Sequence, residues 1–316
     1  MRAAVLAALG GVPSAGEAPE PAAVPGRTLV SVRVGPLNPV DLAIASGAFY
    51  AHQPSLPYVP GVEGVGEVVA SDSFAAGTRV WFESGPAGGA LAELAAVDDE
   101  SVVPLPAELE LERAAIGNSG LAAWLALERA GLGAGDTVLV LGATGIVGAI
   151  ATQLARRFGA GRVLAAGRDE ERLARVARYA DATVRLDADA GARRRALEQA
   201  AGGHGFDVIF DLLWGEPAME AVALAAPGAR WAQVGHGAGA VAELPAAALR
   251  SRSVRLEGLA VFSAPRERKR AAYAELAKAL AGGEVEVPVR VAPLAEIEAA
   301  WARQAASVGT KQLLRI

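Results

Sequence analysis

The stretch VLVLGATGIVGAIATQL, from Val138 to Leu154, constrains the fold of this chain more than any other segment. It begins as a short apolar run typical of a buried strand and passes through glycines directly into an apolar helical segment. A strand that turns on glycine into a helix is the first half of a βαβ unit, in which a crossover helix connects two parallel strands. The stretch therefore predicts a parallel sheet covered by helices.

From about Leu111 onward, strands and helices alternate along the chain. A helix is predicted to run from the glycine turn through Phe158, and further helices over 169–179, near 190–201 and near 216–226. The strands between them have the sequences TVLVLG, RVLAAG, ATVRL, FDVIFDLL, ARWAQVG and VRLEGLAVF. Six strands with five crossovers predict a doubly wound parallel sheet.

The segments that flank this alternation have a different pattern. Up to about residue 110, short β-branched runs are separated by Pro and Gly, which predicts a compact, mostly antiparallel β domain. The C-terminal part adds an Ala-rich helix, a β-rich piece, a second helix and a last strand, KQLLRI. We therefore predict an α/β chain in which residues 113–263 form a parallel-sheet domain, inserted into a β domain made of residues 1–112 and 264–316.

Composition restricts the possible partners and compartment. A net charge of −5 on 316 residues gives no electrostatic reason to expect nucleic acid or an anionic membrane. No apolar run approaches the roughly 20 residues that a membrane helix needs. The start MRAAVLAALGG lacks a small-x-small cleavage site, so we interpret it as a first strand and hairpin and expect a cytoplasmic protein. We interpret the basic run Arg193–Arg195 as a solvated helix face.

The glycine turn has the spacing of a phosphate-binding loop. Ala143, Gly145 and Gly148 occupy the Gly-x-Gly-x-x-Gly/Ala frame between a strand and a helix, where free N–H groups and the helix dipole favour a pyrophosphate. The alternative is a tight turn with a purely structural role. The residues predicted to hold a dinucleotide here are Gly142, Ala143, Thr144, Gly145, Ile146, Val147 and Gly148.

The next strand indicates which dinucleotide binds. An NAD site usually ends this strand with an acidic residue that holds the ribose hydroxyls. Here Gly167 and Arg168 stand at that point, and Arg172 follows one turn into the helix. Arginine is a planar, permanently charged partner for a 2′-phosphate. We therefore expect NADPH as the cofactor, with Asp169 serving as the helix N-cap.

Several segments together resemble a known family. GPLNPVDLAIASGAF, PYVPGVEGVGEVV, GLAAWLAL, GATGIVG and the closing GTKQLLRI resemble the medium-chain dehydrogenase/reductase superfamily, and more narrowly its zinc-independent quinone oxidoreductase branch. The resemblance implies a GroES-like, mostly β catalytic domain plus an inserted Rossmann domain with a doubly wound parallel sheet. It also implies that NADPH delivers hydride directly to a quinone, a conjugated enone or an enoyl-type substrate.

The zinc enzymes of this superfamily carry a catalytic Cys and a His in a Gly-His-Glu turn. By resemblance, Asn38 and Val62 stand at those places. The chain has no cysteine and three histidines, so disulfides, a thiol nucleophile and thiolate metal ligands are excluded. We expect no metal site.

Candidate catalytic residues follow from the same resemblance. Asn38 is expected to face the nicotinamide and donate its amide to a substrate carbonyl, unless it only caps the turn before Pro39. Relatives often place tyrosines where this chain has Ala43 and Phe49, so Tyr50 or His52 on the same loop is the alternative proton donor, unless both are merely exposed loop residues. The absent aromatic hydroxyls suggest a roomier, more apolar pocket.

Further residues are expected around the cofactor and substrate. The resemblance places Val234, Gly235 and His236 at the carboxamide, and places Asn118 and Ser119 with Phe49 in the substrate pocket. Helix capping is the alternative role for Asn118 and Ser119. Residues Gly258–Phe262 match a strand that pairs across a two-fold axis in the family, which implies a homodimer.

Three functions remain open at this point. The first is an NADPH-dependent, zinc-free reductase of a small quinone, enone or enoyl-type molecule. The second is a specialised member of the family that acts on one bulky biosynthetic intermediate, with a non-standard net reaction. The third is an NADPH-binding protein without turnover.

Overall fold

We describe the protein from a computed structural model, in which residues 1–187 and 189–316 are described. These residues form fifteen strands. In chain order the strands are β1 (Arg2–Val5), β2 (Ser14–Glu17), β3 (Arg27–Pro36), β4 (Glu63–Ala70), β5 (Arg79–Glu83), β6 (Leu94–Asp98), β7 (Val102–Pro104), β8 (Thr137–Leu141), β9 (Arg162–Gly167), β10 (Ala182–Arg185), β11 (Phe206–Asp211), β12 (Ala225–Gln233), β13 (Arg255–Gly258), β14 (Val289–Pro293) and β15 (Lys311–Arg315).

The same residues form ten α-helices and four short 3₁₀ turns. The helices are α1 (Pro39–Ala45), α2 (Leu111–Ala114), α3 (Gly117–Ala130), α4 (Ile146–Leu154), α5 (Glu170–Ala177), α6 (Ala190–Ala201), α7 (Gly215–Ala223), α8 (Ala246–Arg250), α9 (Arg266–Ala281) and α10 (Ile297–Ala305). Within the described residues, no helix is both long and apolar enough to cross a membrane.

The chain divides into two compact units. The first contains Met1–Ser119 and Ala264–Ile316, and the second contains Gly120–Ser263. The first division falls inside helix α3, so this helix contributes its first turn to one unit and the rest to the other.

The second unit is built on a six-stranded sheet in the order β10-β9-β8-β11-β12-β13. All its neighbouring strands are parallel. The chain moves outward from β8 to β10 and then returns to the other side of β8 at β11, so the strand order reverses between β8 and β11. This is the predicted doubly wound sheet, and its switch point lies beside the glycine turn.

The central strand is apolar because helices cover both faces of the sheet. All five residues of β8 are buried. On one face, Leu139 and Leu141 pack in a core with residues of α6 and α7, including Leu197 and Val222. At β8 both faces of the sheet are thus excluded from water, which leaves the strand ends and loops to meet ligands.

The first unit is built on a mostly antiparallel seven-stranded sheet. Its path is β14-β15-β3-β4-β5-β7, with β6 also paired to β3, and only β14 and β15 run parallel. The first strand pairs with β2 as the expected hairpin. Valines that alternate along β3 and β4, such as Val30, Val32 and Val68, form its core. The β domain with returning C-terminal elements agrees with the predicted fold class.

Two local expectations are wrong. The sixth strand of the parallel sheet ends at Gly258, and residues Val261–Ser263 form a 3₁₀ turn, because pairing stops where β12 ends at Gln233. Arg193 does not lie on a solvated face: its side chain is 9 % exposed and forms ion pairs with Glu216 and Glu220 on α7, at 2.9 and 2.6 Å.

Candidate functional site

The glycine turn after β8 has the geometry of an anion-binding loop. Gly145 precedes the first residue of α4, and no side chain caps the free N–H groups of this helix end. A Cβ at Gly148 would lie 2.2 Å from the carbonyl oxygen of Gly142, so glycine is required there for the helix to approach the strand. A Cβ at Gly145 would meet its nearest protein atom at 3.5 Å, an ordinary contact. Packing within the protein therefore explains Gly148 but leaves the space beside Gly145 open to a ligand.

At the end of β9, a glycine that packing requires, Gly167, is followed by an exposed arginine, Arg168. A Cβ at Gly167 would lie 2.4 Å from Cγ2 of Thr144, so this glycine accommodates Thr144 of the glycine turn. Arg168 is exposed and has no hydrogen-bond or ion-pair partner among the described residues. Asp169 is the expected N-cap and accepts from the backbone N–H of Arg172 at 2.9 Å. The Arg172 guanidinium lies 3.2 Å from the same carboxylate.

The end of β12 is attached to the end of β11. The N–H groups of Val234 and Gly235 donate to the carbonyl of Asp211 at 2.8 and 3.2 Å. His236, next along the chain, is exposed. The three residues predicted at the carboxamide thus lie at the carboxyl edge of the sheet, as do the glycine turn and Arg168.

In the first unit, Asn38 is fully buried and its side chain is engaged on both sides. Its Nδ2 donates to Oε1 of Glu63 at 3.1 Å. Its Oδ1 accepts from Nζ of Lys311 at 2.5 Å and from Oγ of Ser119 at 3.4 Å. Asn38 also stands directly before helix α1, in the capping position that was the alternative role.

Glu63 lies at the centre of this cluster. Its Oε2 accepts from Nε1 of Trp81 and from the backbone N–H of Asn118, both at 2.7 Å. Its Oε1 lies 3.8 Å from Nζ of Lys311. We call Asn38, Glu63, Ser119 and Lys311 the buried polar cluster. It contains two predicted site residues, Asn38 and Ser119, and the backbone N–H of a third, Asn118, donates to its Glu63.

Burial dominates the electrostatics of this region. Burial lowers the pKa of Lys311, while Glu63 and Asp41 oppose that shift. Burial raises the pKa of Asp41 to about 6, although hydrogen bonds from the backbone of Asn38 and Val62 favour its charged form. Those N–H groups lie 2.8 and 3.0 Å from the carboxylate, which fixes the start of α1 against the residue before β4.

The two predicted proton donors on the loop after α1, Tyr50 and His52, are more exposed to solvent than the buried polar cluster. Tyr50 is 81 % exposed and packs its ring 5.0 Å from that of Phe49. His52 is half-buried. Neither Tyr50 nor His52 has a hydrogen-bond partner in the part of the chain that is described.

Sequence reasoning missed Glu63, Lys311 and Trp81. The available signal was a charge in an apolar strand: Glu63 interrupts VPGVEGVGEVV, and Lys311 opens a strand whose first four residues are buried. A charge in such a place needs a partner, since an unpaired buried charge is expensive. The sequence does not reveal which distant residue supplies it, because Glu63 and Lys311 lie in strands near opposite ends of the chain.

The residues at the expected zinc position do not fit zinc. Val62 offers no donor atom, and the Oδ1 of Asn38 already accepts from an ammonium group, which would repel a dication. Across residues 1–187 and 189–316, no group of three or more His, Cys, Asp or Glu side chains is arranged to hold a metal ion.

The chain is similar to several known proteins. Residues 24–107 match the alcohol dehydrogenase GroES-like domain, and residues 147–280 match the zinc-binding dehydrogenase family. The quinone oxidoreductase of Lama guanicoe is 35% identical over 195 residues, which are 59% of this chain and 57% of that protein. A 2-methylene-furan-3-one reductase of Solanum lycopersicum is 36% identical over 152 residues, 44% of this chain and 39% of that protein.

Among solved structures, the quinone oxidoreductase of Thermus thermophilus, also solved in complex with NADPH, is 32% identical, with a TM-score of 0.82 and full coverage of both chains. The sequence matches to the Lama guanicoe and Solanum lycopersicum proteins span about half the length of those relatives or less. The match to the Thermus protein extends over the whole chain. The chain belongs to the medium-chain dehydrogenase/reductase superfamily, in its quinone oxidoreductase-like branch.

Proposed function

We propose that this protein is an NADPH-dependent, zinc-free oxidoreductase that reduces a quinone, a conjugated enone or an enoyl-type substrate. The observation that carries the proposal is the glycine turn, where Gly148 is required by packing and Gly145 is not. An open space at an uncapped helix N-terminus, at the switch point of a parallel sheet, suits a dinucleotide pyrophosphate. The residues that would hold it are those of the turn, Gly142 to Gly148.

Selection of NADPH over NADH is assigned to Arg168, with Arg172 assisting. Arg168 is exposed at the end of β9 and lacks a partner among the described residues, so its guanidinium is available to a 2′-phosphate. The solved complex of the Thermus relative with NADPH supports this choice. Val234, Gly235 and His236 are assigned to the carboxamide end of the cofactor.

When bound, NADPH supplies the hydride, which leaves the protein to orient the substrate, exclude water and stabilise charge on its carbonyl oxygen. For this last task we propose Asn38, whose Nδ2 carries a second N–H besides the one given to Glu63. Tyr50 and His52, which have no hydrogen-bond partners among the described residues, are the proposed proton donors. Phe49 and the helix start at Asn118 and Ser119 are assigned to the substrate pocket.

The substrate class follows from the side chains available. Without donors for zinc, a simple carbonyl lacks the Lewis acid that polarises it in the zinc enzymes. Quinones and conjugated enones accept hydride at an electron-poor carbon and need less assistance. The similarity to both a quinone oxidoreductase and a 2-methylene-furan-3-one reductase supports this class.

Titration calorimetry tests the cofactor assignment. Arg168→Ala is expected to weaken NADPH binding by about tenfold or more, which is 1.4 kcal/mol, and to leave NADH binding unchanged. Arg175→Ala is the matched control. Like Arg168, Arg175 is an exposed arginine, but it lies on α5 and is paired with Glu171. Equal effects of Arg168→Ala on both cofactors would reject the assignment. Tight NADPH binding without oxidation by any quinone, enone or aldehyde would instead favour a binding protein without turnover.

We also propose a homodimer formed through the parallel sheet. Strand β13 is its outermost strand, and all four of its residues are exposed. An exposed edge strand presents unpaired N–H and C=O groups to a second copy of the chain, and pairing across a two-fold axis would extend the sheet.

A further inference from the structure

Trp214, at the turn between β11 and α7, has a backbone conformation that side chains rarely adopt. Its φ is 53° and its ψ is −159°, a region occupied almost only by glycine. A bulky residue persists in such a conformation only where its surroundings impose it, and such residues concentrate at functional sites. The position of Trp214 directly after a central strand at the carboxyl edge makes it a candidate for such a role.

The carboxylate of Asp211 imposes this conformation. Its Oδ1 accepts from the backbone N–H groups of Leu213 and Trp214 at 2.8 and 2.9 Å. Its Oδ2 accepts from Nε1 of Trp231 at 3.0 Å. The ring of Trp231 in turn stacks on that of Trp214, with centroids 5.2 Å apart. Asp211 is fully buried, so these three neutral donors replace its hydration, and burial raises its pKa.

The turn held by Asp211 supports two of the proposed cofactor contacts. On one side, the carbonyls of Asp211 and Leu212 accept from Val234 and Gly237 at 2.8 and 3.0 Å, which fixes the segment after β12. On the other side, the side chains of Leu212 and Leu213 lie against Gly142, where a Cβ would come within 3.2 Å of both. One turn thus fixes the carboxamide segment against the glycine turn.

We propose that Asp211 is a positioning residue for the nicotinamide end of the cofactor: its carboxylate holds the turn Leu212–Trp214, and the carbonyls of Asp211 and Leu212 in turn fix the segment Val234–Gly237. The inference rests on the proposed function, since it needs NADPH to bind at this edge. We assign Asp211 no direct contact with the cofactor or the substrate. It acts through the backbone of the turn and of the segment after β12.

Asp211→Asn tests the inference. The amide keeps one oxygen for the backbone donors but presents an NH₂ group to the indole N–H of Trp231, so two donors face each other. We expect kcat for NADPH oxidation by para-benzoquinone to fall about 10- to 100-fold, because the nicotinamide is misplaced. Binding of adenosine 2′,5′-bisphosphate, which lacks the nicotinamide, is expected to be unchanged. Asp207→Asn, at the opposite end of β11, is the matched control and should keep the wild-type kcat.

A second variant keeps the inference falsifiable if Asp211→Asn does not fold. Glycine adopts the conformation of residue 214 without strain. In a Trp214→Gly background the carboxylate is no longer needed to impose it, so Asp211→Asn should lower kcat less in that background than in the wild type. A kcat within twofold of wild type for Asp211→Asn would overturn the inference. So would an equal loss of kcat in both backgrounds, or a parallel loss of bisphosphate binding.

If the proposed function is wrong, the measurements differ from those that reject the role of Asp211 alone. The wild-type chain itself would then neither bind adenosine 2′,5′-bisphosphate nor oxidise NADPH, and the inference would fall with it. Wild-type turnover together with an unaffected Asp211→Asn variant rejects the inference alone.

Discussion

The fold raises the pKa of Asp41, and this shift makes the stability of the chain depend on pH. Its carboxylate is completely buried, and its pKa rises from 3.8 to about 6 because desolvation outweighs its two backbone hydrogen bonds and the attraction of Lys311. The folded chain therefore binds a proton at this site more readily than the unfolded chain does. Its contribution to stability is fully present below about pH 4 and is lost as the pH rises through about 6.

The first prediction compares wild type with Asp41→Asn, which cannot titrate at this position. From about pH 4 to about pH 7, the free energy of unfolding of the wild type should fall by about 3 kcal/mol relative to the variant. Urea unfolding of both proteins at several pH values measures this difference. Parallel pH profiles for the two proteins would contradict a raised pKa for Asp41.

The second prediction concerns Lys311 in the buried polar cluster. Lys311→Met leaves the carboxylate of Glu63 and the Oδ1 of Asn38 buried without their cation, which should destabilise the first unit by about 3–5 kcal/mol. Adding Glu63→Gln removes the uncompensated charge and should recover part of the loss.

Lys278→Met is the control for Lys311→Met, because the side chain of Lys278 is 67% exposed and its ion pair among the described residues is with Glu275 on its own helix. Its effect should stay within about 0.5 kcal/mol. Thermal and urea unfolding of Lys311→Met, of Lys311→Met with Glu63→Gln, and of Lys278→Met measure these differences in stability. Equal stability of Lys311→Met and Lys278→Met would show that the cluster is not held by the lysine.

At the scale of elements, the two glycines of the glycine turn have different roles: Gly148 is required by packing, and Gly145 is assigned to ligand binding. Gly148→Ala places a Cβ 2.2 Å from the carbonyl oxygen of Gly142 and should destabilise the second unit by about 1–3 kcal/mol. Gly145→Ala meets nothing closer than 3.5 Å and should leave stability within about 0.5 kcal/mol of wild type. The same Gly145→Ala substitution should weaken NADPH binding at least about tenfold, because its methyl group takes the space of the pyrophosphate.

Calorimetry of NADPH binding and thermal unfolding of both glycine variants test this third prediction. If Gly145→Ala bound NADPH like the wild type, the open space beside it would not be the pyrophosphate site. If Gly148→Ala were as stable as the wild type, the close strand–helix approach would not depend on glycine.

The elements were predictable from sequence where their patterns are local. The strands and helices of the second unit alternate with clear apolar runs and glycine turns, so both the parallel sheet and its reversal could be predicted. The end of β13 could not, because it depends on where its partner β12 stops. The burial of Arg193 depends on Glu216 and Glu220 of another helix, which no local pattern indicates.

The same distinction separates the two parts of the candidate site. The glycine turn, Arg168 and the Asp169 cap lie within about one βαβ unit and follow from local geometry. The buried polar cluster joins Asn38, directly before α1, with residues of β4, α3 and β15, so its partners meet only in the folded chain. The strained turn at Trp214 is likewise invisible in sequence, because its conformation is imposed by Asp211 and Trp231.

For the whole molecule, the edge strand β13 determines the expected assembly. Leu256, at the centre of β13, is 36% exposed although it is apolar, which suits a surface covered in a dimer. The fourth prediction is that Leu256→Lys shifts the chain from dimer to monomer in light scattering coupled to gel filtration. Leu9→Lys is the control, because Leu9 is similarly exposed in the first unit. A wild-type chain that is monomeric at micromolar concentration would contradict the dimer.

The central claim is that this chain passes a hydride from NADPH to an electron-poor substrate without zinc. It is tested most directly by steady-state oxidation of NADPH and NADH with para-benzoquinone, in the presence and absence of a chelator. We expect a kcat/KM for NADPH about tenfold or more above that for NADH, unchanged by the chelator. Loss of turnover on chelation, a preference for NADH, or no oxidation of either cofactor would contradict it.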